Sequence, residues 1–418
     1  MSLPSGFSRV DLPLSRSAQM LSVDQWAFAM SPPVAVTSEI EKTLAWDRCR
    51  GVEVTEGPSA GDVVAVHSSY PYTMRVPGGT VATSGLTWVG VHPAHRRRGL
   101  LTSMMADHFA RSRARGEAVS TLVAAETAIY QRFGYGLACP TFKVSLDRSV
   151  TFRDVVGSEN LHVRLEDADI AVHAATVNAV LARDARPGAM VSIDDALMAE
   201  QFSDPELVRQ GFERKRIAIV EDEHGPAAFA LFQRKLDWNA TRPDGVGATR
   251  QWAAVTPAAS RRLWSVLADF DLMKSFSVSG LALDDPLLHL AHDVRGLEPA
   301  FSDQIWLRIL DVPEALAART YGTDLDLTIA VTDDVISDNS RAWRMRVAGG
   351  IADITRAERD AAVDVALTIQ DLAAAYLGGT TIDALHGAGL VSEARRGSVA
   401  LLNDAFRSRV APRSTFYF

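Results

Sequence analysis

The chain has 418 residues, of which 47% are hydrophobic and 22% are charged, and its formal net charge is −8 at pH 7. A chain of this length exceeds one ordinary hydrophobic core, so we expect two or three domains. The negative charge argues against a broad electrostatic attraction to nucleic acid or to anionic lipid, and it suits cationic partners such as amines. The two cysteines, Cys49 and Cys139, are too few for a disulfide framework and favour a reducing compartment.

Residues 1–18 do not contain the apolar core that a secretory signal peptide needs. No stretch of the sequence approaches the roughly 18 uncharged apolar residues that cross a membrane as a helix. We therefore expect a cytoplasmic protein without a membrane span.

Residues 1–149 alternate between strand-like and helix-like runs. β-Rich runs with glycine turns come first, and apolar residues at helical spacing then predict a helix from Arg97 to Arg115, ended by Gly116. The stretch "STLVAAE" predicts a short buried strand, "TAIYQRFGYG" predicts a short helix stopped by Gly134, and "CPTFKVSL" predicts another strand. This alternation is typical of an α/β domain.

The segment 150–300 continues in the same style and contains an internal repeat. The stretch "TWVGVHPAHRRRGLLTSMM", which begins at Thr87, matches "QWAAVTPAASRRLWSVLAD", which begins at Gln251. The identical pairs include Trp88 and Trp252, Pro93 and Pro257, Arg97 and Arg261, and Arg98 and Arg262. Leu263 replaces Gly99 in the second copy, so we predict that only the first copy binds a cofactor. The segment 301–418 then has strand-like pieces followed by helices, which is an α+β pattern.

The junction from Val91 to Thr102 joins three features that suit a phosphate. A helix N-terminus presents free N–H groups and the positive end of the helix dipole. Gly99 lets a pyrophosphate approach the backbone, and the arginines at 96–98 supply forked donors. The simpler alternative is a strand-to-helix turn with a solvated arginine cluster. The strand before the turn and the amphipathic helix after it favour phosphate binding.

The run Arg96-Arg97-Arg98-Gly99-Leu100-Leu101 resembles the acyl-CoA-binding motif of GNAT acetyltransferases, Arg/Gln-x-x-Gly-x-Gly/Ala. Together with "AAETAIYQRFGYG", "VDVALTIQDLAAAYLGG" and the aromatic end "STFYF", it is similar to the Eis (enhanced intracellular survival) family. The resemblance covers the whole chain and implies an α/β and α+β multidomain fold. The implied domains are a catalytic GNAT domain at 1–149, a degenerate GNAT-like domain at 150–300, and a sterol-carrier-protein-like α+β domain at 301–418 whose C-terminal tail reaches the active site.

The resemblance also implies acetyl-CoA as the co-substrate, no metal, and direct transfer to primary amines of an aminoglycoside-like molecule or of lysine, by a homohexamer. The backbone that would pair with the pantetheine arm belongs to Val89, Gly90 and Val91. The residues that would cradle the pyrophosphate are Arg97, Arg98, Gly99, Leu100, Leu101 and Thr102. Ala125 and Glu126 would lie beside the cofactor on the next strand.

The catalytic residues that the resemblance implies are Tyr130, as general acid, and Phe418, whose free α-carboxylate would be the general base. The amine must lose a proton, and the leaving thiolate benefits from one that a phenol can supply. Without the family, Tyr130 is typical of a core aromatic and Phe418 of a frayed tail. Three consecutive aromatic residues at 416–418 nevertheless favour a buried tail. A buried carboxylate needs a cationic partner, and a bound amine could be that partner.

The acceptor pocket is expected to be lined from the N-terminal side by Trp26 and Phe28, or by Asp24. Tyr417 stands where an acidic residue is found in the family, which removes one negative charge from the substrate pocket. This substitution leaves the choice between aminoglycoside-like and lysine amines open.

Metal binding and ligand carriage are the two alternatives to acetyl transfer. His92 and His95 have no cysteine or carboxylate at metal-ligand spacing, so we predict no metal site. The rival function is a non-catalytic lipid- or ligand-binding carrier on a degenerate GNAT scaffold, and such a protein would not bind acetyl-CoA.

Overall fold

The computed structural model describes residues 3–29, 38–206 and 209–418. The strands of the first part of the chain are β1 (Phe7–Asp11), β2 (Arg50–Val54), β3 (Val63–Val76), β4 (Gly79–Val91), β5 (Val119–Leu122) and β6 (Gly136–Asp147). The helices there include α1 (Ser17–Phe28), α2 (Leu100–Ala114) and α3 (Thr127–Gln131). The predicted terminators Gly116 and Gly134 both have a positive φ, of 75° and 85°, which is the conformation that glycine adopts without strain.

The middle part of the chain repeats the mixture of strands and helices. Its strands are β7 (His162–Asp167), β8 (Met190–Ile193), β9 (Arg216–Asp222), β10 (Gly225–Lys235), β11 (Trp238–Asn239), β12 (Arg242–Pro243), β13 (Gly245–Ala254), β14 (Met273–Ala282) and β15 (Ala300–Ile309). Its helices include α4 (Ile170–Arg183), α5 (Asp195–Phe202), α6 (Pro257–Ala268) and α7 (Pro286–Leu290). Both copies of the internal repeat lie at a strand–turn–helix junction, β4 to α2 and β13 to α6, as predicted.

The last part of the chain is a separate sheet with helices. Its strands are β16 (Leu325–Thr332), β17 (Arg341–Ala348), β18 (Ile351–Arg356), β19 (Val365–Thr368) and β20 (Ser392–Glu393), and they form a five-stranded sheet in the order β18-β17-β16-β19-β20. Its helices include α8 (Val312–Ala317), α9 (Ile369–Ala375), α10 (Ile382–Gly387) and α11 (Ser398–Phe406). β16 buries every second residue, so one face of this sheet packs on the core.

The first two parts of the chain share one 13-stranded sheet. Its main path runs β1-β2-β3-β4-β5-β15-β6-β14-β13-β10-β9-β7, and β8 pairs with β3. β15 is antiparallel to β5 on one side and to β6 on the other, so the end of the middle part completes the sheet of the first part. The boundary predicted at 300/301 falls at the start of this strand.

β4 and β5 diverge after a short pairing, and this opens the cleft that matters for function. β4 pairs with β3 along its length, but it pairs with β5 only at Thr83, Ser84 and Gly85. Beyond Gly85, the edge of β4 that faces β5 has no ladder partner in the described part of the chain. A β-bulge interrupts the β3–β4 register there, and Trp88 takes a left-handed φ of 55°. The cleft therefore exposes backbone groups of β4.

The C-terminal tail, residues 407–418, returns from the third domain to this cleft. The Arg413 guanidinium pairs with Asp184 at 2.8 Å and donates to the Trp252 carbonyl oxygen at 2.8 Å. Phe416 is fully buried, and its ring centroid lies 6.2 Å from that of Phe229. The tail is thus packed between the first two parts of the chain rather than frayed.

Candidate active site

The turn before α2 leaves the N-terminus of that helix open. Gly99 is the N-cap residue, with φ 79° and ψ 4°, and no side chain caps the helix. Arg97 also has a positive φ, of 61°, so the helix begins at Leu100 rather than at Arg97 as predicted. The first N–H groups of α2 are therefore available to an anion, and the helix dipole adds to their attraction.

The second copy of the repeat shows what this junction looks like without the turn. α6 begins at Pro257, the counterpart of Pro93, and the Thr256 side chain accepts a hydrogen bond from the Ala259 N–H. Leu263, the counterpart of Gly99, lies inside that helix and is fully buried. The prediction that the second copy binds no cofactor does not depend on the bulk of the Leu263 side chain. The helix is already formed at this position, and its N–H groups are used internally.

A cavity of about 480 Å³ lies at the open end of α2 and along the free edge of β4. We call it the cofactor cavity. It brings together the sequence-predicted residues Val89, Gly90, Val91, Arg97, Gly99, Leu100, Leu101, Thr102, Ala125, Glu126 and Tyr130. The predicted residue Arg98 is exposed and does not line this cavity, whereas Arg96, which belongs to the predicted arginine cluster, does. His95 and Arg132, which were not predicted, also line it. Arg97, the residue before Arg98, has a left-handed backbone conformation. The side chains of Arg97 and Arg98 therefore leave the backbone in different directions.

The cofactor cavity fits an acyl-CoA by the chemistry of its walls. Arg96 and Arg97 supply cationic donors beside uncapped helix N–H groups, which suits a pyrophosphate. The free edge of β4 offers backbone groups for an extended amide-containing arm. Gly99 leaves the approach open, because an added Cβ there would meet only Pro4 Cγ at 4.0 Å.

A second cavity, also of about 480 Å³, adjoins the first, and we call it the acceptor cavity. The two cavities share Phe28, Val89, Ala125 and Tyr130. The acceptor cavity also contains Phe418, so the last residue of the chain and Tyr130 line the same space. Its other walls come from α1, from β4 and β5, and from the middle part of the chain.

The acceptor cavity has several ionisable side chains. Asp24 is 5% exposed, has no hydrogen-bond or ion-pair partner among the described residues, and burial raises its pKa to about 6. Burial also raises the pKa of Glu200. Lys215 donates to the carbonyl oxygens of Gln201 at 2.7 Å and Ser203 at 2.9 Å, so its ammonium is already satisfied by the protein.

The structure places the residues expected at the N-terminal wall in two different positions. Asp24 and Phe28 line the acceptor cavity, but Trp26 does not, and its side chain is 61% exposed beside His92. Tyr417 does not line the cavity either; its hydroxyl lies 3.5 Å from the position of a Cβ added to Gly280. The wall residues that sequence reasoning missed include Glu200, Ser203, Lys215 and Gln251. Of these residues, Gln251 alone has a distinguishing feature in the sequence, because it is the first residue of the second copy of the repeat.

Tyr130 and Phe418 are held by aromatic neighbours. Burial, and then the nearby Glu126 carboxylate, raise the pKa of Tyr130 to about 12, so its hydroxyl stays protonated at neutral pH. The Tyr130 ring meets Tyr135 edge to face, with 6.0 Å between centroids. The Phe418 ring meets Tyr70 at 6.0 Å and Tyr72 at 5.9 Å in the same manner. The terminal carboxylate has no ion pair or hydrogen bond within the described residues.

Comparisons with protein families agree with this architecture. Two models described as an acetyltransferase (GNAT) domain match residues 12–138 and 194–309, and a sterol carrier protein domain model matches residues 312–413. A protein of Mycobacterium tuberculosis named N-acetyltransferase Eis is 30% identical over 88% of this chain and 89% of its own length. The chain belongs to the Eis family of GNAT N-acetyltransferases.

Other relatives of this Eis-family chain carry the same enzyme class in their names. An uncharacterized N-acetyltransferase of Streptomyces coelicolor is 34% identical over 92% of this chain and 93% of its own length. The crystal structure of Eis1 from Mycobacterium abscessus matches with a TM-score of 0.81 and 26% identity, covering 98% of this chain and all of that one. This Eis-family protein is therefore an acetyltransferase with two GNAT domains followed by a sterol-carrier-protein-like domain, and acetyl-CoA is the co-substrate of that class.

The described residues of this Eis-family enzyme contain neither a metal-ligand cluster nor a membrane-spanning helix. Within the described ranges, no group of three or more histidine, cysteine, aspartate or glutamate residues is arranged to hold a metal ion. No helix among those residues is both long and apolar enough to cross a membrane.

Proposed function

We propose that this enzyme transfers the acetyl group of acetyl-CoA directly to a primary amine, with Tyr130 as general acid and the α-carboxylate of Phe418 as general base. The observation that carries the proposal is the meeting of two cavities. The cofactor cavity and the acceptor cavity join at Val89, Ala125 and Tyr130, and the acceptor cavity holds Phe418. A thioester at the junction would face an amine directly, so no acyl-enzyme is required.

Tyr130 has the protonation state that a general acid needs. Its raised pKa keeps the phenol protonated at neutral pH, and it lies where the two cavities join. As the amine nitrogen bonds to the thioester carbon and the carbon–sulfur bond breaks, the phenol donates to the departing sulfur. Because a pKa of about 12 makes full transfer costly, strong hydrogen-bond donation to the thiolate accounts for much of the effect.

Phe418 supplies a carboxylate that has no counter-ion among the residues that the structure describes. A carboxylate that is packed into a cavity favours a cationic ligand, and an ammonium group is the ligand of matching charge. The bound ammonium must lose a proton before its nitrogen can attack the thioester carbon, and the same carboxylate accepts that proton. The second proton leaves the nitrogen as the intermediate collapses and replaces the one that Tyr130 gives to the departing sulfur. Asp24 and Glu200 give the acceptor cavity further acidic groups, while Lys215 is occupied by backbone oxygens. The cavity therefore supports an acceptor with more than one amine, either aminoglycoside-like or a lysine in a peptide.

The experiment for this proposal compares wild type, Tyr130→Phe and a chain lacking Phe418 in acetyl transfer to several amines. We expect each variant to lose about 10²–10⁴ in kcat, the range for a positioned acid or base, with an unchanged Kd for CoA. Full retention of kcat in both variants would refute the assignment. Screening aminoglycosides and lysine peptides with the same assay identifies the acceptor class.

The rival function, a non-catalytic carrier, is not favoured by the enzyme class of the relatives. It predicts no stabilisation of the protein by CoA. We expect the thermal midpoint to rise with CoA concentration, because a ligand selective for the native state stabilises it.

The hexamer implied by the family resemblance is part of the proposal, and light scattering tests it.

A further inference from the structure

The turn that follows Tyr130 is packed directly against the third domain. At Gly134, an added Cβ would lie 2.8 Å from Ile369 Cγ2 and 3.0 Å from Arg308 Cζ. At Gly136, an added Cβ would overlap the Gln370 carbonyl oxygen and the start of the Ala374 peptide. Helix α9 of the third domain thus fills the space beside both glycines, which flank the turn into β6.

A hydrogen bond links the same helix to the helix that carries Tyr130. Gln370 Nε2 donates to Gln131 Oε1 at 3.3 Å. Gln131 is the last residue of α3 and directly follows Tyr130, so α9 reaches the catalytic helix through one side-chain pair. A little further along, Thr380 Oγ1 donates to the Leu137 carbonyl oxygen at 3.1 Å. The third domain therefore contacts the chain on both sides of the turn.

A buried ion pair fixes the other side of the turn. Arg308, on β15, has a fully buried side chain and donates to both carboxylate oxygens of Asp333 at 2.6 Å. Asp333 also accepts from the backbone N–H groups of Val335 and Ile336 at 3.0 Å. The guanidinium lies 5.3 Å from the ring centroid of Phe109 on α2. One cation thus contacts the cofactor helix, the turn after Tyr130 and a loop of the third domain.

Tyr130 moves with this turn because its backbone is bonded to it. The Tyr130 carbonyl oxygen accepts from the Phe133 N–H at 3.0 Å and from the Tyr135 N–H at 3.4 Å. The Tyr135 hydroxyl is in turn fixed by Ser120 Oγ at 2.8 Å, on β5. A shift of the turn would therefore change the position of the Tyr130 ring relative to the two cavities.

We propose that the third domain positions the Tyr130 hydroxyl, through Gln370 and Ile369 of α9 and through the Arg308–Asp333 ion pair. These are positioning residues, since none of them lines the cofactor or acceptor cavity. The inference rests on the proposed role of Tyr130. It gives the sterol-carrier-like domain a second task in the reaction besides delivery of the C-terminal carboxylate.

A double-mutant cycle with Gln370→Ala and Tyr130→Phe tests the inference. Removing one neutral hydrogen bond of about 1 kcal/mol should lower kcat about fivefold in the wild-type background, with the Kd for CoA unchanged. In the Tyr130→Phe background the same substitution should leave the residual kcat unchanged, because the hydroxyl is already absent. An equal loss of kcat in both backgrounds, or no loss in either, would overturn the inference.

Gly134→Ala and Gly116→Ala form a matched second pair. Both glycines have positive φ values, so alanine strains the backbone at each, but only the Gly134 side chain would push on Ile369 and Arg308. We expect Gly134→Ala to lower kcat at least tenfold more than Gly116→Ala, with the Kd for CoA unchanged in both variants. Equal kcat values for the two variants contradict the inference.

The two proposals fail in different ways. If Tyr130→Phe itself has the kcat of the wild type, the proposed role of Tyr130 is wrong. If Tyr130→Phe is slow while Gln370→Ala and Gly134→Ala keep the wild-type kcat, only the positioning by the third domain is wrong.

Discussion

The ring of Phe418 occupies the space that a side chain at residue 85 would need. A Cβ added to Gly85 would lie 2.8 Å from Phe418 Cε2 and 2.9 Å from Cζ. Gly85 is also the last residue at which β4 pairs with β5. The C-terminus is therefore seated at the point where the two strands diverge, and a glycine in a central strand is explained by this contact.

Gly85→Ala is predicted to displace the terminal carboxylate from the acceptor cavity. Because misplacing a reacting group by about 1 Å can cost up to about 10²-fold, we expect kcat to fall about 10- to 100-fold with an unchanged Kd for CoA. Adding Phe418→Leu to this variant replaces the ring by a smaller side chain and keeps the terminal carboxylate. The double variant should therefore recover part of the lost kcat. Gly387→Ala is the control, since a Cβ there meets nothing within 4 Å. A wild-type kcat for Gly85→Ala would contradict the contact.

Gly99→Ala is predicted to weaken CoA binding. The left-handed conformation costs a non-glycine residue about 1–2 kcal/mol, and the Cβ crowds the pyrophosphate approach, so we expect Kd to rise at least tenfold. Gly397 is a close match, because it caps α11 with φ 87° and ψ −4° and has open space around it. Calorimetric titration should show a CoA affinity for Gly397→Ala equal to that of the wild type. If Gly99→Ala and Gly397→Ala bound CoA with equal affinity, the predicted role of the Gly99 turn in CoA binding would be wrong.

Arg97 and Arg98 are predicted to differ in their effect on CoA. Arg97 lines the cofactor cavity and Arg98 does not. A charge-assisted hydrogen bond contributes about 1.5–3 kcal/mol, so Arg97→Ala should raise the Kd for CoA about tenfold or more, and Arg98→Ala less than about threefold. The salt dependence of Kd gives a second readout, since it should weaken only in Arg97→Ala. If Arg98→Ala raised the Kd for CoA more than Arg97→Ala, then Arg98 rather than Arg97 would be the residue that binds the pyrophosphate.

Asp24→Asn is predicted to raise stability above pH 6 and to weaken amine binding there. The folded-state pKa of Asp24 is raised from 3.8 to about 6, so the contribution to stability is present below pH 3.8 and lost as pH rises through about 6. The ionised, buried carboxylate costs at most about 3 kcal/mol at neutral pH, which asparagine removes. Urea unfolding at pH 5 and pH 8 measures the first effect, and KM for a polyamine measures the second. A variant that is no more stable at pH 8 would show that Asp24 is not desolvated.

Much of the catalytic half of the site could be predicted from local sequence. The open turn and α2 depend on residues that are close together in the sequence. Gly99 and the helical spacing of Leu101, Met104 and Met105 were therefore sufficient to predict them. The exact start of α2 and the direction of the Arg98 side chain could not be predicted. Both depend on the left-handed backbone conformation of Arg97, which residue propensities do not indicate.

The acceptor cavity could not be predicted in the same way. Its walls come from α1, from residues 200–215 and from the C-terminus, which meet only through long-range packing. The insertion of β15 between β5 and β6 is equally non-local, because both neighbouring strands lie far from it along the chain. Glu200 lies on a helix whose sequence shows ordinary amphipathic spacing, so nothing local separates it from a surface residue.

The central claim is that the α-carboxylate of Phe418 acts on the amine, and a charge change without a shape change tests it most directly. A semisynthetic enzyme that ends in the carboxamide of Phe418 keeps the ring contacts with Tyr70 and Tyr72 but cannot accept the proton. Its acetyl-transfer kcat should be about 10²–10⁴ lower than that of the same semisynthetic chain ending in the free acid, with equal Kd for CoA. Equal kcat values for the amide and the acid would contradict the account.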